Sequence, residues 1–325
     1  MRQSMKWCAG ILAALAAAMC LQGCEQSRHL KVAAHVWPGY EFMHLAKELH
    51  WLDPHQVELV PTAFAGESLE ALIAGHVDAA ALTLDEVLTA RAEGVPLTVV
   101  MVFDVSAGAD VVLRRPGVGQ GDGLRGLRVG YEHGAVGALM LEKALNHEGL
   151  VLDDIVAIDL PPSRHVAAWN AGFVDALVTY EPVASQLQEQ GATVAFDSGQ
   201  THNLIVDVLA IRANRLHWPH AGALRHLVAA HFRALEHFQR NSEDAAYRMA
   251  PRLSLKPNEV NAAFSGLVLP DIENNHRLLG GDAPPLLDSA SELSSLMRSR
   301  NLLPSNKDDL GRLIDDHYLP AIKAK

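Results

Sequence analysis

The chain has 325 residues, 49% of them hydrophobic and 20% charged, which excludes wholesale disorder and suits two lobes of ordinary size. Its formal net charge of −11 excludes a nucleic-acid binder that relies on a basic face, so no nucleic-acid partner is expected. All three cysteines, Cys8, Cys20 and Cys24, lie in the first 24 residues, so the rest of the chain has no disulfide, thiol nucleophile or thiolate metal ligand.

The N-terminus reads as an address. Arg2 and Lys6 precede an unbroken apolar and small run from Ala9 to Leu21, too short to span a bilayer comfortably but suited to a secretory signal. It ends in Leu21-Gln22-Gly23-Cys24, which resembles the lipobox of bacterial lipoproteins. That resemblance implies cleavage after residue 23 and acylation, palmitate included, of Cys24. Residues 24–29 would then be a tether, and several acyl chains would hold the protein on a membrane of the cell envelope.

From Leu30 short apolar runs alternate with helical patterns. Strands are predicted at 30–36, 57–60, 77–82, 97–103 and 109–113, with helices at 41–51, 68–74 and 85–92 between them. Residues 114–126, rich in Gly and Arg, read as a connector. The alternation restarts with strands at 127–131, 155–158, 174–178 and 193–196 and helices at 136–147, 166–171 and 183–190. A long extended run covers 204–211. From Trp218 the pattern turns helical, with helices predicted at 224–238, 242–249, 256–264, 290–298 and 307–313. Alternation of this kind implies parallel sheet with helices on its faces.

An internal echo supports two lobes. Ala74-Gly75-His76-Val77-Asp78-Ala79 recurs as Ala171-Gly172-Phe173-Val174-Asp175-Ala176. Each copy ends a helix at glycine and leads into an apolar strand, and both aspartates read as turn-stabilising. Ligands of open α/β sheets sit beyond the carboxyl ends of the strands, where helices begin. Two such lobes facing each other, joined at 109–113 and 204–211, make a hinged clamp that buries a small solute and needs no nucleophile.

Several motifs, taken in order, carry a family resemblance. They are Trp37-Pro38-Gly39-Tyr40-Glu41, Leu82-Thr83-Leu84-Asp85-Glu86, Asp104 to Asp110, Gly130 to Gly137, Leu160-Pro161-Pro162, Thr179-Tyr180-Glu181-Pro182 and Ile205 to Leu209. Over roughly residues 30–215 the chain resembles the extracytoplasmic solute-binding proteins of ABC importers, in the nitrate, taurine, sulfonate and thiamine-precursor (NMT1/THI5-like) group. The resemblance implies an α/β type II periplasmic binding protein with two α/β lobes and a two-crossing hinge. Residues 30–113 plus 208–325 would form the first lobe and 114–207 the second. The expected partners are a small-molecule solute, an ABC permease in the cytoplasmic membrane and, through acylated Cys24, the lipid bilayer. The protein is expected to be a monomer without cofactor or catalytic residues, facing the periplasm or cell exterior.

The resemblance also implies a ligand site. Trp37 and Tyr40 would wall the solute, with Glu41 at the first helix start. Thr83 and Asp85 would offer polar contacts, and Asp104 and Asp110 would lie beside the hinge. Glu132, Val136 and Gly137 would line the second lobe, Tyr180 and Glu181 would close from the opposite wall, and Asp207 would sit on the return crossing. Tyr180 departs from the Trp of many relatives. Acids at helix starts also serve as caps, so Glu41, Asp85 and Glu181 keep both readings.

Seven carboxylates are expected at the cleft, Glu41, Asp85, Asp104, Asp110, Glu132, Glu181 and Asp207, and no lysine falls in these motifs, which points to an amine or nitrogen-heterocycle solute rather than an anion. A sulfonate or nitrate binder, a sensor lipoprotein and an enzyme of the same group remain the alternatives. No Gly-x-Ser-x-Gly elbow is present. The 17 histidines include no H-x-x-x-H or H-E-x-x-H pair, so no metal is expected; His133 and His202 are the best-placed candidates.

Overall fold

The computed structural model describes residues 29–322, apart from 120, 134–135, 202–203, 218–219, 300–301 and 304–309. The expected signal segment, Cys24, the tether before residue 29 and His202 lie outside the described residues.

Two sheets organise the chain. The six-stranded sheet contains β1 (Leu30–Ala34), β2 (Val57–Pro61), β3 (Ala79–Thr83), β4 (Leu97–Ser106), β10 (Val206–Arg212) and β11 (Leu267–Val268), in the order β11-β4-β10-β3-β1-β2. The five-stranded sheet contains β5 (Asp110–Arg114), β6 (Arg128–Tyr131), β7 (Val156–Asp159), β8 (Ala176–Tyr180) and β9 (Thr193–Asp197), in the order β7-β6-β8-β5-β9. Around them pack α1 (Glu41–Glu48), α2 (Ala65–Ile73), α3 (Leu84–Ala92), α4 (Val136–His147), α5 (His165–Asn170), α6 (Val183–Glu189), α7 (His220–Arg240), α8 (Ser242–Leu253), α9 (Pro257–Ala263), α10 (Ile272–Leu279) and α11 (Pro285–Ser299).

The sheets are mixed rather than wholly parallel. β10 runs antiparallel to both β3 and β4, and β5 runs antiparallel to β8 and β9. The reason is topological: each is a strand that has just come from the other sheet. Asp110–Arg114, expected in the first lobe, is a strand of the five-stranded sheet, so the chain crosses at residues 107–109. The return crossing falls between β9 and β10, because β10 already belongs to the six-stranded sheet. The two crossings are stitched together: the Ser106 and Ser198 hydroxyls lie 2.6 Å apart, and Gly108 N donates to Ser198 Oγ at 2.7 Å.

The repeated hexapeptide plays one role twice. Gly75 and Gly172 both take positive φ, 76° and 68°, at the ends of α2 and α5. Asp78 Oδ2 then accepts the Lys31 N–H in β1 at 3.0 Å, and Asp175 Oδ2 accepts the Arg128 N–H in β6 at 3.0 Å. Each aspartate ties the start of its strand to the neighbouring one.

Two C-terminal expectations change. Residues 307–309 of the last predicted helix lie outside the described residues, and 310–313 form turn and coil, with Arg312 at φ 56°. That segment instead bonds along β4: Val99 N donates to Leu313 O, and Asp315 N to Val99 O. Helix α10, which the sequence reading leaves out, turns Ile272, Leu278 and Leu279 toward the core. It is pinned by a buried polar side chain, Asn275, which accepts from Val102 N at 2.8 Å and donates to Val102 O at 3.1 Å.

Candidate functional site

Strand register assembles the site. Asp207, second residue of β10, stands opposite Thr83 on one side and Asp104 on the other, so one row crosses three strands. In the other sheet Asp110 is paired with Tyr180, and Glu132 follows β6 directly. The two rows face a narrow cavity whose empty space is about 370 Å³ with its solvent mouth included.

Trp37 and Tyr180 form its aromatic rim. After β1, Trp37 stays extended (φ −152°, ψ 136°) and Pro38–Tyr40 make one 3-10 turn. The indole is held by a hydrogen bond from Nε1 to Asp104 Oδ2 at 3.0 Å. Its ring meets that of Tyr180 edge to face, centroids 5.8 Å apart. A residue from each sheet is thus in contact across the gap.

Seven of the expected residues line the cavity: Trp37, Thr83, Asp110, Glu132, Val136, Tyr180 and Asp207. The others stand behind it or away from it. Tyr40 is fully buried, its ring packed on His35 and Phe103, and its hydroxyl donates to Asp207 Oδ1. It orients Asp207 and is not a wall. Glu41 accepts from Arg252 Nε at 2.7 Å, which makes it the buried half of an ion pair. Asp85 faces a separate gap with Leu139, Glu142 and Leu293. Asp104 holds Trp37. Glu181 accepts from Ser185 N and Oγ at 3.3 and 3.0 Å, capping α6. Gly137 gives room to Glu132, since a Cβ there would lie 2.7 Å from the Glu132 carbonyl oxygen.

Four lining residues were not expected: His35, Ala65, Glu86 and Ile205. Glu86 ends the Leu82-Thr83-Leu84-Asp85-Glu86 segment, and three residues after Thr83 its spacing signals a capping box. It does accept from Thr83 N and Oγ1, at 3.0 and 3.1 Å, while also bordering the cavity. Ala65 and Ile205 carry no chemical signal in the sequence.

The electrostatics are one-sided. The lining has four carboxylates, Glu86, Asp110, Glu132 and Asp207, and no lysine or arginine. Burial, then the neighbouring Asp85, pushes Glu86 up to about 8. Burial pushes Asp110 up to about 7 against the Ser106 hydrogen bond. Glu132 is pushed up to about 7 by burial, then by Asp85 and Asp159. Burial, then Asp104, holds Asp207 well above the carboxylate range. His35 is lowered to about 4 by burial and then Arg252, so its ring is neutral. Asp110 Oδ2, Asp207 Oδ2 and His35 Nδ1 are buried without a protein hydrogen-bond partner. The arrangement can pair with N–H donors or with positive charge, which would favour the ionised acids, and its lining holds no cationic side chain for an anion.

His133, a metal candidate in the sequence, is exposed. Among the described residues, the one cluster of three histidine or acidic side chains close enough to share an ion is Asp315, Asp316 and His317, far along the chain from the cavity residues.

Solved structures share this architecture. The chain is similar to the periplasmic aliphatic sulphonate binding protein SsuA from Escherichia coli, with a TM-score of 0.73, 20% identity, and coverage of 91% of this chain and 95% of that one. It is similar to the alkanesulfonate-binding protein SsuA from Xanthomonas axonopodis pv. citri bound to MOPS, at 0.70 and 19%, covering 85% and 94%. A ligand-binding component of an ABC-type import system from Staphylococcus aureus with zinc bound matches at 0.71 and 14%, covering 89% and 97%. No curated protein sequence matches the chain. These likenesses establish the α/β fold of the periplasmic binding proteins. The NMT1-like family matches residues 25–254, most of the chain, and the protein belongs to that family.

Proposed function

We propose that the protein is the solute-binding component of an ABC-type importer and that its cleft takes a small organic cation or an N–H-rich nitrogen heterocycle. The importer role is supported by the family and by the ABC-type import component among the similar structures. The solute class is supported by one observation above all: Glu86, Asp110, Glu132 and Asp207 line the cavity with no basic side chain among them. The two SsuA proteins are named for sulfonates, and a sulfonate would find no basic side chain in this lining. Trp37 and Tyr180 add ring faces and edges suited to a flat or cationic group. A metal ion fits less well, since the lining acids do not converge as Asp315, Asp316 and His317 do.

In this reading two lobes close on the solute, one around each sheet, hinged at the stitched crossings. The protein delivers its solute unchanged to a permease and is a monomer held at the envelope by acylated Cys24. Among the described residues no helix is long and apolar enough to cross a membrane.

Calorimetric titration with amines, amidines and aminopyrimidines, set against taurine and nitrate, tests the solute class. Saturable binding within the nitrogenous set and none of the anions is expected. Saturable binding of taurine or nitrate alone overturns it. Recovering the bound compound unchanged supports a binder; its conversion during incubation shows an enzyme.

A further inference from the structure

We infer that Asp104 and Asp207 hold one proton between them in the solute-free protein, so that this pair of buried aspartates presents a single negative charge to the floor of the cleft.

Asp207 and Asp104 are direct partners on adjacent antiparallel strands, with an irregularity in pairing just after them. Both are buried, at 2% and 0% exposure. Each has one oxygen committed to a neutral donor: Trp37 Nε1 bonds Asp104 Oδ2, and the Tyr40 hydroxyl bonds Asp207 Oδ1. That leaves Asp104 Oδ1 and Asp207 Oδ2, both buried and without another donor. As direct cross-strand partners the two side chains leave their strands about 4.5–5.5 Å apart, and each carboxyl perturbs the other.

Two neighbouring carboxylates in a buried site cannot both stay ionised without a compensating charge. None is present. From β3 the pair meets Thr83, from the 3-10 turn Trp37 and Tyr40, and from β5 the further acid Asp110; Glu86 of α3 acts on Tyr40. Every charged group in that set is acidic. A proton between the orphaned oxygens satisfies both at once, giving a four-membered chain from the Trp37 indole to the Asp104 carboxylate to the Asp207 carboxylic acid to the Tyr40 phenol. Burial raises both groups, Asp104 to about 7 and Asp207 further, in the same direction. The chain also explains why Trp37 and Tyr40, one in the cavity wall and one behind it, are held by neighbouring acids.

Infrared spectra of the full chain without solute test this, because a protonated carboxyl absorbs apart from carboxylates and amides. With aspartate labelled in its side-chain carboxyl, the wild-type protein at about pH 8.5 should show one protonated aspartate, since Asp110 is ionised there. Asp104→Asn should remove that band, Asp207→Asn should remove it equally, and the double variant should remove no more than either. Asparagine keeps an acceptor for Trp37 or Tyr40 and a donor for the partner aspartate, so both single variants should unfold at or above the wild-type temperature. No protonated aspartate in the wild type, or two bands removed independently, overturns the inference. The label experiment on the wild type decides the matter even if a variant does not fold. It uses no solute, so its failure leaves the proposed binding function standing.

Discussion

Gly39 lies against Asp104 so closely that a methyl group on its α-carbon would overlap Asp104 Oδ2 and come within 3.2 Å of Trp37 Nε1. The glycine is there for space, since its φ is not in the positive range. Gly39→Ala should push the Asp104 carboxylate off the indole. Overpacking of this kind costs about 1–3 kcal/mol, and the loosened Trp37 should shift its emission to the red. Urea denaturation with fluorescence checks both. Wild-type stability in this variant would mean that Asp104 can move freely, contrary to its buried bonding.

Glu86 combines two roles that substitution can separate. Glutamine keeps the acceptor that closes the capping box on Thr83, so Glu86→Gln should fold normally. It removes the negative charge that Glu86, raised to about 8 in the empty cleft, would take on opposite a bound cation. A charge-assisted hydrogen bond exceeds a neutral one by about 1–2 kcal/mol, so affinity for a cationic solute should fall about 5- to 30-fold. Calorimetry on the variant reads this directly. Unchanged affinity would remove Glu86 from the binding surface.

The raised carboxylates also set a pH dependence of stability. Glu86 at about 8, and Asp110 and Glu132 at about 7, bind protons more tightly folded than unfolded, where such groups titrate near 4. Their contribution is full below the unfolded value and is lost as pH rises through 7 and 8. Buried His35 and His165, lowered to about 4, and His44 and His231, lowered to about 3, act oppositely but only below their unfolded value near 6.5. Between about pH 6.5 and 8.5 the carboxylates therefore decide the sign, and the solute-free protein should become less stable as pH rises. Thermal unfolding across that window checks it. A saturating organic cation, which favours the ionised acids, should flatten the decline.

Local pattern made much of this legible. Apolar runs and glycine stops locate most of the strands and helices, and Pro38-Gly39 marks Trp37 as a loop residue at a strand end. The acidic character of the cavity is also visible, because Asp110, Glu132 and Asp207 are lining residues in both readings. Long-range pairing was not legible. Nothing near Glu41 announces Arg252, 211 residues away. Nothing near Asp207 says that its strand inserts antiparallel between β3 and β4, which is what sets it beside Asp104 and under Tyr40. An acid at a helix start looks the same in sequence whether it caps, pairs or faces a ligand; its partner in the fold decides.

That distinction yields a paired test of Glu41 and Asp110, both nearly inaccessible and both first read as ligand contacts. Glu41 is bound to Arg252, whose Nη2 also donates to His35 O at 3.2 Å. Glu41→Gln leaves the guanidinium without its counter-charge and should destabilise the fold. The loss should reach about 3 kcal/mol, the lower end for a broken buried ion pair, because burial already raises Glu41 to about 7 and weakens its charge. Glu41 does not line the cavity, so solute affinity should stay within about twofold. Asp110 has the opposite setting: its Oδ2 has no partner and its neighbours Asp85 and Glu181 are acids. Asp110→Asn relieves repulsion and should keep or raise stability while weakening a cationic solute about tenfold, the effect of about 1.4 kcal/mol. Denaturation and calorimetry on the two variants should thus give opposite patterns. If Glu41→Gln weakened binding while Asp110→Asn did not, the solute would lie on the α1 side of Trp37 rather than between the two rows of acids.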